Sequence, residues 1–321
     1  MWKFILRRLL IMIPQLFILS IIIFLMAKAM PGDALTGKQM DPKADAKRIE
    51  EIRKQMGLDD PVPVQYVHWI KNISHGDWGV SYTHKTPVLD VIGDRIWNTI
   101  YLGIATLILT YLIAIPLGIL SGRYNDSWID KLITGYNYIG YATPIFIFAL
   151  IVLFVFGFKL EWFPTGGTVD PQAVPGTFGY FMSKVYHLIL PTLSGALIAT
   201  VTTVQYLRNE IIDTKIKDFV RTARSKGIPN SKVYNRHILR NSLLPIAAFM
   251  GYEITGIVVG SIFVESIFGY PGIGQLFVKS VLLRDFSVVN ALVIMTSFAT
   301  LLGTLLSDII LSAVDPRIRI E

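Results

Sequence analysis

The chain has 321 residues and is 52% hydrophobic but only 17% charged, against roughly 25% charge in a soluble domain, which excludes a single soluble globule and points to an integral membrane protein. Its net charge of +7 is read as a topology signal, and no nucleic acid is expected among the partners. Cysteine is absent, which excludes disulfides, thiolate metal sites and cysteine nucleophiles.

A membrane-spanning helix needs about 20 apolar residues. The first such run, Leu9–Ala27, follows Lys3, Arg7 and Arg8. Arg7 and Arg8, the run and Ala27-Lys28-Ala29 also resemble a cleavable signal peptide. The run is longer than the usual signal core, however, and Lys28 occupies the would-be cleavage site, so an uncleaved span is expected. Next comes the loop Lys28–Asn98, balanced in charge, with Tyr66, Trp69, Trp78, Tyr82 and Trp97. These aromatics predict a small folded lobe with helices near Pro42–Met56 and Val64–Ile73. Five further apolar runs follow: Thr99–Leu120, Leu132–Phe158, Leu188–Leu207, Leu243–Val264 and Val288–Val314. Pro14, Pro116, Pro144, Pro191 and Pro245 fall inside spans, where neighbouring helices or waters can satisfy the freed carbonyls.

Basic residues in short loops set the orientation. They cluster in the N-terminal tail, at Arg123 and Lys131, through Arg208–Asn241, and at Arg317 and Arg319. Six spans put all four clusters on one side, the cytoplasm. The loops on the other side carry only Lys159 and Lys184, and Lys279 and Arg284. The expected fold is therefore an all-α integral membrane protein of six transmembrane helices, with an external helical insertion between the first two. Its parts are the tail and first span, 1–27, the external lobe, 28–98, and a five-helix core, 99–321, with a cytoplasmic loop at 208–242.

Within that loop Ile216, Phe219, Val220 and Ala223 are spaced i, i+3, i+4, i+7 and form one helix face. Lys215, Lys217, Arg221, Arg224 and Lys226 flank it. Gly227 is placed to stop the helix, and Pro229 follows. A second helical stretch covers Lys232–Asn241. The pattern suits a helix lying on anionic lipid or one docking into a groove on a cytoplasmic partner. A helix–Gly–helix unit tied at both ends to the bundle suits force transmission, and the pattern alone leaves both readings open.

In the fifth span, Glu253, Gly256 and Gly260 share one face. A carboxylate at that depth costs about 2.5–3.5 kcal/mol unless it meets a partner or water. This face is expected to look into the bundle or along a water-filled path, with room for close approach. Glu253 then serves either as a structural hydrogen bond to a neighbouring subunit or as a polar contact in the path. After the fifth span, "FGYPGIGQLF" predicts a tight turn buried by Ile267, Phe268, Ile273, Leu276 and Phe277.

No G-x-x-x-x-G-K-[ST], H-E-x-x-H or G-x-S-x-G motif occurs, so the chain is expected neither to bind ATP by a phosphate loop nor to be an enzyme. His68, His75 and His84 lack a carboxylate at a fixed helical offset and are read as surface histidines, not metal ligands.

"FVRTARSKG" followed by "RHILRNSLLP" resembles the cytoplasmic EAA loop of ABC-importer permeases, in the form carried by oligopeptide and dipeptide permeases. Arg221, Thr222 and Ala223 stand where the general pattern has Glu-Ala-Ala, and Gly227 matches its glycine. The pattern's Leu-Pro is displaced to Leu244-Pro245. "MGLDDPVPVQYVHWI", "GDWGVSY", "PVLDVIGDRIWNT", "HLILPTLSGAL", "VESIFGYPGIGQLFVKSVLLRDFSVV" and "VDPRIRIE" extend the resemblance over nearly the whole chain. It implies a permease subunit of a peptide importer that forms half of the translocation path. The implied partners are a homologous second permease, two ATP-binding subunits that hydrolyse the ATP, and an external substrate-binding protein that delivers peptide. This chain would bind no cofactor itself. Phe219, Arg221, Thr222, Ala223, Lys226 and Gly227 become the expected ATPase contacts, and Glu253, Gly256 and Gly260 the expected path residues. A nickel importer permease of the same family is the alternative.

Overall fold

A computed structural model describes residues 2–29, 59–259 and 261–314. The helix expected at Pro42–Met56 and Gly260 lie outside the described residues. Among those described, helices account for almost all regular structure, and the only strand-like feature is an isolated bridge between Val80 and Pro87.

Helix α1 is Trp2–Ala29, and α2, Val62–Ser74, is the predicted helix of the external lobe. Tyr66 and Trp69 of α2 pack on Phe24 of α1, and the Tyr66 hydroxyl meets Ser20 at 2.8 Å. The aromatics of the lobe thus anchor it to the first span. Helix α3, Val88–Arg123, and α6, Phe178–Lys215, are both longer than the apolar runs inside them. With α1 and α12, Phe286–Val314, they are long and apolar enough to cross a bilayer.

The third expected span, Leu132–Phe158, is not one rod. Helix α4, Trp128–Ala142, and α5, Ile145–Val152 with its π-helical continuation Leu153–Lys159, meet at a bend of 103°. Pro144 has no N–H to donate and disfavours helical geometry at the residue before it. Thr143 is accordingly extended (φ −100°, ψ 112°). By contrast, Pro14, Pro116 and Pro191 remain inside their helices. The fifth span also ends early. Helix α9 is Leu244–Val259, Ser261 is extended, and a short α10, Ile262–Ile267, follows. Helix α11, Ile273–Leu282, then leads to α12.

The bundle is built around α3 packed along α6, with α9 against α12 and α3, and α1 against α12. Close approach of α3 and α6 depends on small residues. A Cβ added at Gly122 would sit 2.7 Å from Ile211. Buried residues form one cluster around Leu207, Ile211 and Ile238, another around Ile92, Leu276 and Leu292, and a third around Leu190 and Phe268. Outward-facing Ile13, Leu112 and Leu132 are exposed, as side chains in contact with hydrocarbon are.

One buried ion pair fastens three helices at the basic end. Arg208 of α6 donates to both oxygens of Asp130 of α4 at 2.7 Å. The same carboxylate accepts from the Ser121 hydroxyl on α3 and from the Asp126 amide at 2.8 Å. Lys215 reaches across to the Arg123 carbonyl at 2.9 Å, closing the ends of α3 and α6 together.

Candidate functional site

Two features stand out: the basic loop after α6 and a largely apolar hollow between α3 and α9 with a few polar groups in its wall. The loop begins with α7, Asp218–Ser225, whose first turn carries Asp218, a favourable charge at a helix N-terminus. The helix stops where the sequence says it should. The Gly227 amide donates to the Arg224 carbonyl (2.9 Å) and the Ile228 amide to the Ala223 carbonyl (3.3 Å), the paired bonds of a Schellman closure. Gly227 takes φ +71°, and nothing lies within 4 Å of a Cβ placed there. Glycine is needed for its conformation, not for close approach. Gly227→Val should cost this turn about 1–2 kcal/mol and speed amide exchange across 218–228; unchanged exchange would count against that account.

Helix α8, residues 230–242, comprises Asn230–Lys232, the π-helical Val233–Leu239 and Arg240–Ser242. It presses α7 back onto the bundle. Val220, Ala223, Val233, Tyr234 and Ile238 share one buried cluster with Leu207 and Ile211. The Tyr234 hydroxyl donates to the Ile119 carbonyl at 3.3 Å, and the Ser242 hydroxyl to the Glu210 carbonyl at 3.1 Å.

This packing splits the predicted apolar face. Val220 and Ala223 point inward, Ala223 at 4% exposure, whereas Ile216 is 68% and Phe219 41% exposed. Ala223 therefore offers no surface to a partner, contrary to expectation. The loop folds back on the end of α6, and its own bundle consumes the inner pair. Arg221, Thr222, Lys226 and Gly227 are exposed alongside Phe219. The Arg221–Asp218 pair, 3.8 Å apart and solvated, adds little.

The hollow, about 440 Å³, lies between α3, α6, α9, α10 and α12, with Thr99, Thr106, Thr110, Glu253, Gly256 and Glu265 in its wall. Glu253 is half-buried, and the Tyr111 hydroxyl approaches it. Neither Glu253 Oε2 nor that hydroxyl closes a hydrogen bond within the chain. Gly256 departs from the reading of a close-packing face. It is exposed, and a Cβ there meets nothing within 4 Å. It widens the hollow, whereas the close approach to α9 is made by Gly103, whose added Cβ would sit 2.8 Å from the Ile257 backbone. Gly260, the third expected path residue, is outside the described residues.

Sequence reasoning missed Glu265, which is fully buried. Its carboxylate accepts from the Thr99 hydroxyl (2.9 Å) and the Gln275 amide (3.0 Å), while Thr99 accepts from the Ile273 amide (2.7 Å). Asn98 holds the Pro271 carbonyl at 3.0 Å. These bonds fix the "FGYPGIGQLF" turn to α3, with Phe268, Tyr270, Ile273 and Leu276 buried under it, the arrangement of a packed scaffold. The available signal was a carboxylate standing just before a Gly/Pro turn and the helix start after it, where free amides attract anions. No group of three or more potential metal ligands gathers among the described residues.

Two family descriptions match the chain: "Binding-protein-dependent transport system inner membrane component" over residues 114–320, and the N-terminal part of the same component over residues 1–103. The oligopeptide transport system permease protein AppB of Bacillus subtilis is 40% identical over 319 residues, 99% of each chain. The glutathione transport system permease protein GsiC of Escherichia coli K12 is 34% identical over 323 residues, again 99% of each. Among solved structures, an inward-facing form of the MetNI methionine ABC transporter superposes with a TM-score of 0.55 at 13% identity, covering 71% of this chain and 97% of that one. At that identity the likeness shows the fold alone.

Proposed function

The chain belongs to the family of inner-membrane components of binding-protein-dependent transport systems, and from that premise we propose that it is the permease subunit of an ATP-driven peptide importer, forming half of the translocation path. The family sets the coarse frame: a multi-pass membrane permease working with ATP-binding subunits and a substrate-binding protein. The finer assembly is our proposal: one homologous second permease, two ATPases on the cytoplasmic side and the binding protein outside. Both termini and the 208–242 loop face the cytoplasm. The chain itself binds no cofactor and catalyses no reaction, and ATP is hydrolysed by its partners.

The observation that carries this reading is the exposed half of α7. Ile216, at the end of α6, and Phe219 stand out beside Arg221, Thr222, Lys226 and Gly227 on a helix and its closing turn welded to the end of α6. An apolar anchor with a basic rim is suited to a groove on a partner. A helix fixed by buried packing passes on what the partner does. The names of the full-length relatives support peptide as the cargo over metal ions. The test is reconstitution of the complex, purified from native membranes, into vesicles. Peptide uptake should require ATP, this chain and the binding protein together. Uptake of nickel in place of peptide would overturn the reading.

In this proposal the hollow beside Glu253 is part of the path, and the carboxylate, whose Oε2 has no hydrogen-bond partner within the chain, meets a peptide's cationic groups. Glu253→Gln keeps shape and removes charge. Uptake of cationic peptides should fall about tenfold, the equivalent of one charge-assisted hydrogen bond of ~1.5 kcal/mol, and that of peptides without cationic side chains by less. Equal uptake by both proteins would remove Glu253 from the path. Loss of assembly with the second permease would assign it a structural role.

A further inference from the structure

A second hollow, of about 530 Å³, opens at the basic end between the C-termini of α3 and α6 and the loop helices α7 and α8. Arg123, Lys215 and Arg224 line it together with Asn230 and Tyr234, and no carboxylate is among the lining residues. The three cations come from three different elements: the last residue of α3, the last residue of α6 and the final turn of α7. Each on its own complements the dipole of its helix. That does not account for their convergence on one cavity, where Lys215 is repelled by Arg224 and attracted by Asp130 and Asp126 outside its lining. Neutral groups hold two of them in place. The Arg123 guanidinium lies 4.8 Å above the Tyr234 ring, and the Lys215 ammonium donates to the Arg123 carbonyl at 2.9 Å and to Asn125 Oδ1 at 2.6 Å. The nearest buried carboxylate, Asp130, is already engaged by both nitrogens of Arg208.

We propose that this hollow binds a phosphate group, bridging Arg123, Lys215 and Arg224. Guanidinium and ammonium groups converging without an anion suit a dianionic or monoanionic phosphate, which accepts several charge-assisted bonds at once. The group can come from an anionic phospholipid headgroup or from free phosphate. Its occupant would tie the loop helix directly to the ends of two membrane helices, and so stiffen the connection that the proposed function relies on.

The test reads binding, not transport, so it stands or falls apart from the importer reading. The assembled complex is placed in nanodiscs of equal parts phosphatidylglycerol and phosphatidylcholine, extracted in mild detergent, and its retained lipid counted by native mass spectrometry. The wild type should retain phosphatidylglycerol over phosphatidylcholine. The variant R123Q/R224Q should retain about thirtyfold less of it, as expected for loss of two basic residues near an anionic headgroup. The variant R123K/R224K keeps the charge and should keep the lipid, which separates loss of charge from a folding defect. Millimolar inorganic phosphate that displaces the lipid identifies free phosphate as a competent occupant, and resistance to it identifies the headgroup. Equal retention by wild type and R123Q/R224Q, indifference between the two lipids, or loss of lipid from R123K/R224K would overturn the proposal.

Discussion

The double substitution Ile216→Asp with Phe219→Asp should weaken docking of the ATP-binding subunits by more than about a hundredfold and abolish peptide-stimulated hydrolysis. Both side chains are exposed, Ile216 at the end of α6 and Phe219 on α7, and covering each in a partner groove is worth about 1.5–3 kcal/mol. Two carboxylates in the same place would lose that burial and would have to be desolvated as well. The chain's own fold should be untouched, because Val220 and Ala223, which hold α7 to the bundle, remain. Pull-down of the ATPases and the hydrolysis rate of the reconstituted complex measure the effect. Val220→Asp is the contrasting control, since it buries a charge in the core cluster and should lose the folded chain itself. Undiminished docking by the double variant would remove α7 as the contact.

Asp130→Ala should destabilise the chain by about 3 kcal/mol or more. Asp130 is only 2% exposed, and its removal strands the Arg208 guanidinium and leaves the Ser121 hydroxyl and the Asp126 amide without their acceptor. Breaking a buried pair by deleting one partner typically costs 3–5 kcal/mol. Arg208 keeps some solvent access, at 18% of its side chain, which places the estimate at the lower end. The measurement is the temperature at which the detergent-solubilised chain loses its monodisperse peak. The second deletion, Arg208→Ala on the Asp130→Ala background, should restore part of the loss, because no charge is then left unpaired. Additive losses would mean that the two residues are not acting as a pair.

The spans at α1, α3, α6 and α12 were legible because hydrocarbon imposes one requirement on every residue facing it. The Schellman glycine was legible for a similar reason, since helix closure is local chemistry confined to a few residues around Gly227. Proline was ambiguous. Pro144 breaks a span, while Pro116 and Pro191 do not, and the residue type alone does not separate the two outcomes. The stripe on α7 was half legible: periodicity finds an apolar face but cannot say whether the same chain or another one covers it. The bonds that fix the site were not visible at all. Asp130 and Arg208, and Thr99 and Glu265, are far apart in sequence and meet only after α3, α4, α6 and α10 have packed.

Helix α6 runs unbroken for 38 residues, about 57 Å at 1.5 Å per residue. It is a lever with the basic loop fixed to one end. A swing of about 10° about that end displaces the other by roughly 10 Å over a rod of this length. Small rotations where α7 is held are therefore magnified on the far face of the membrane. Pro191, in the interior of the rod, is the one place along it where an amide is missing from the ladder and the shaft can flex.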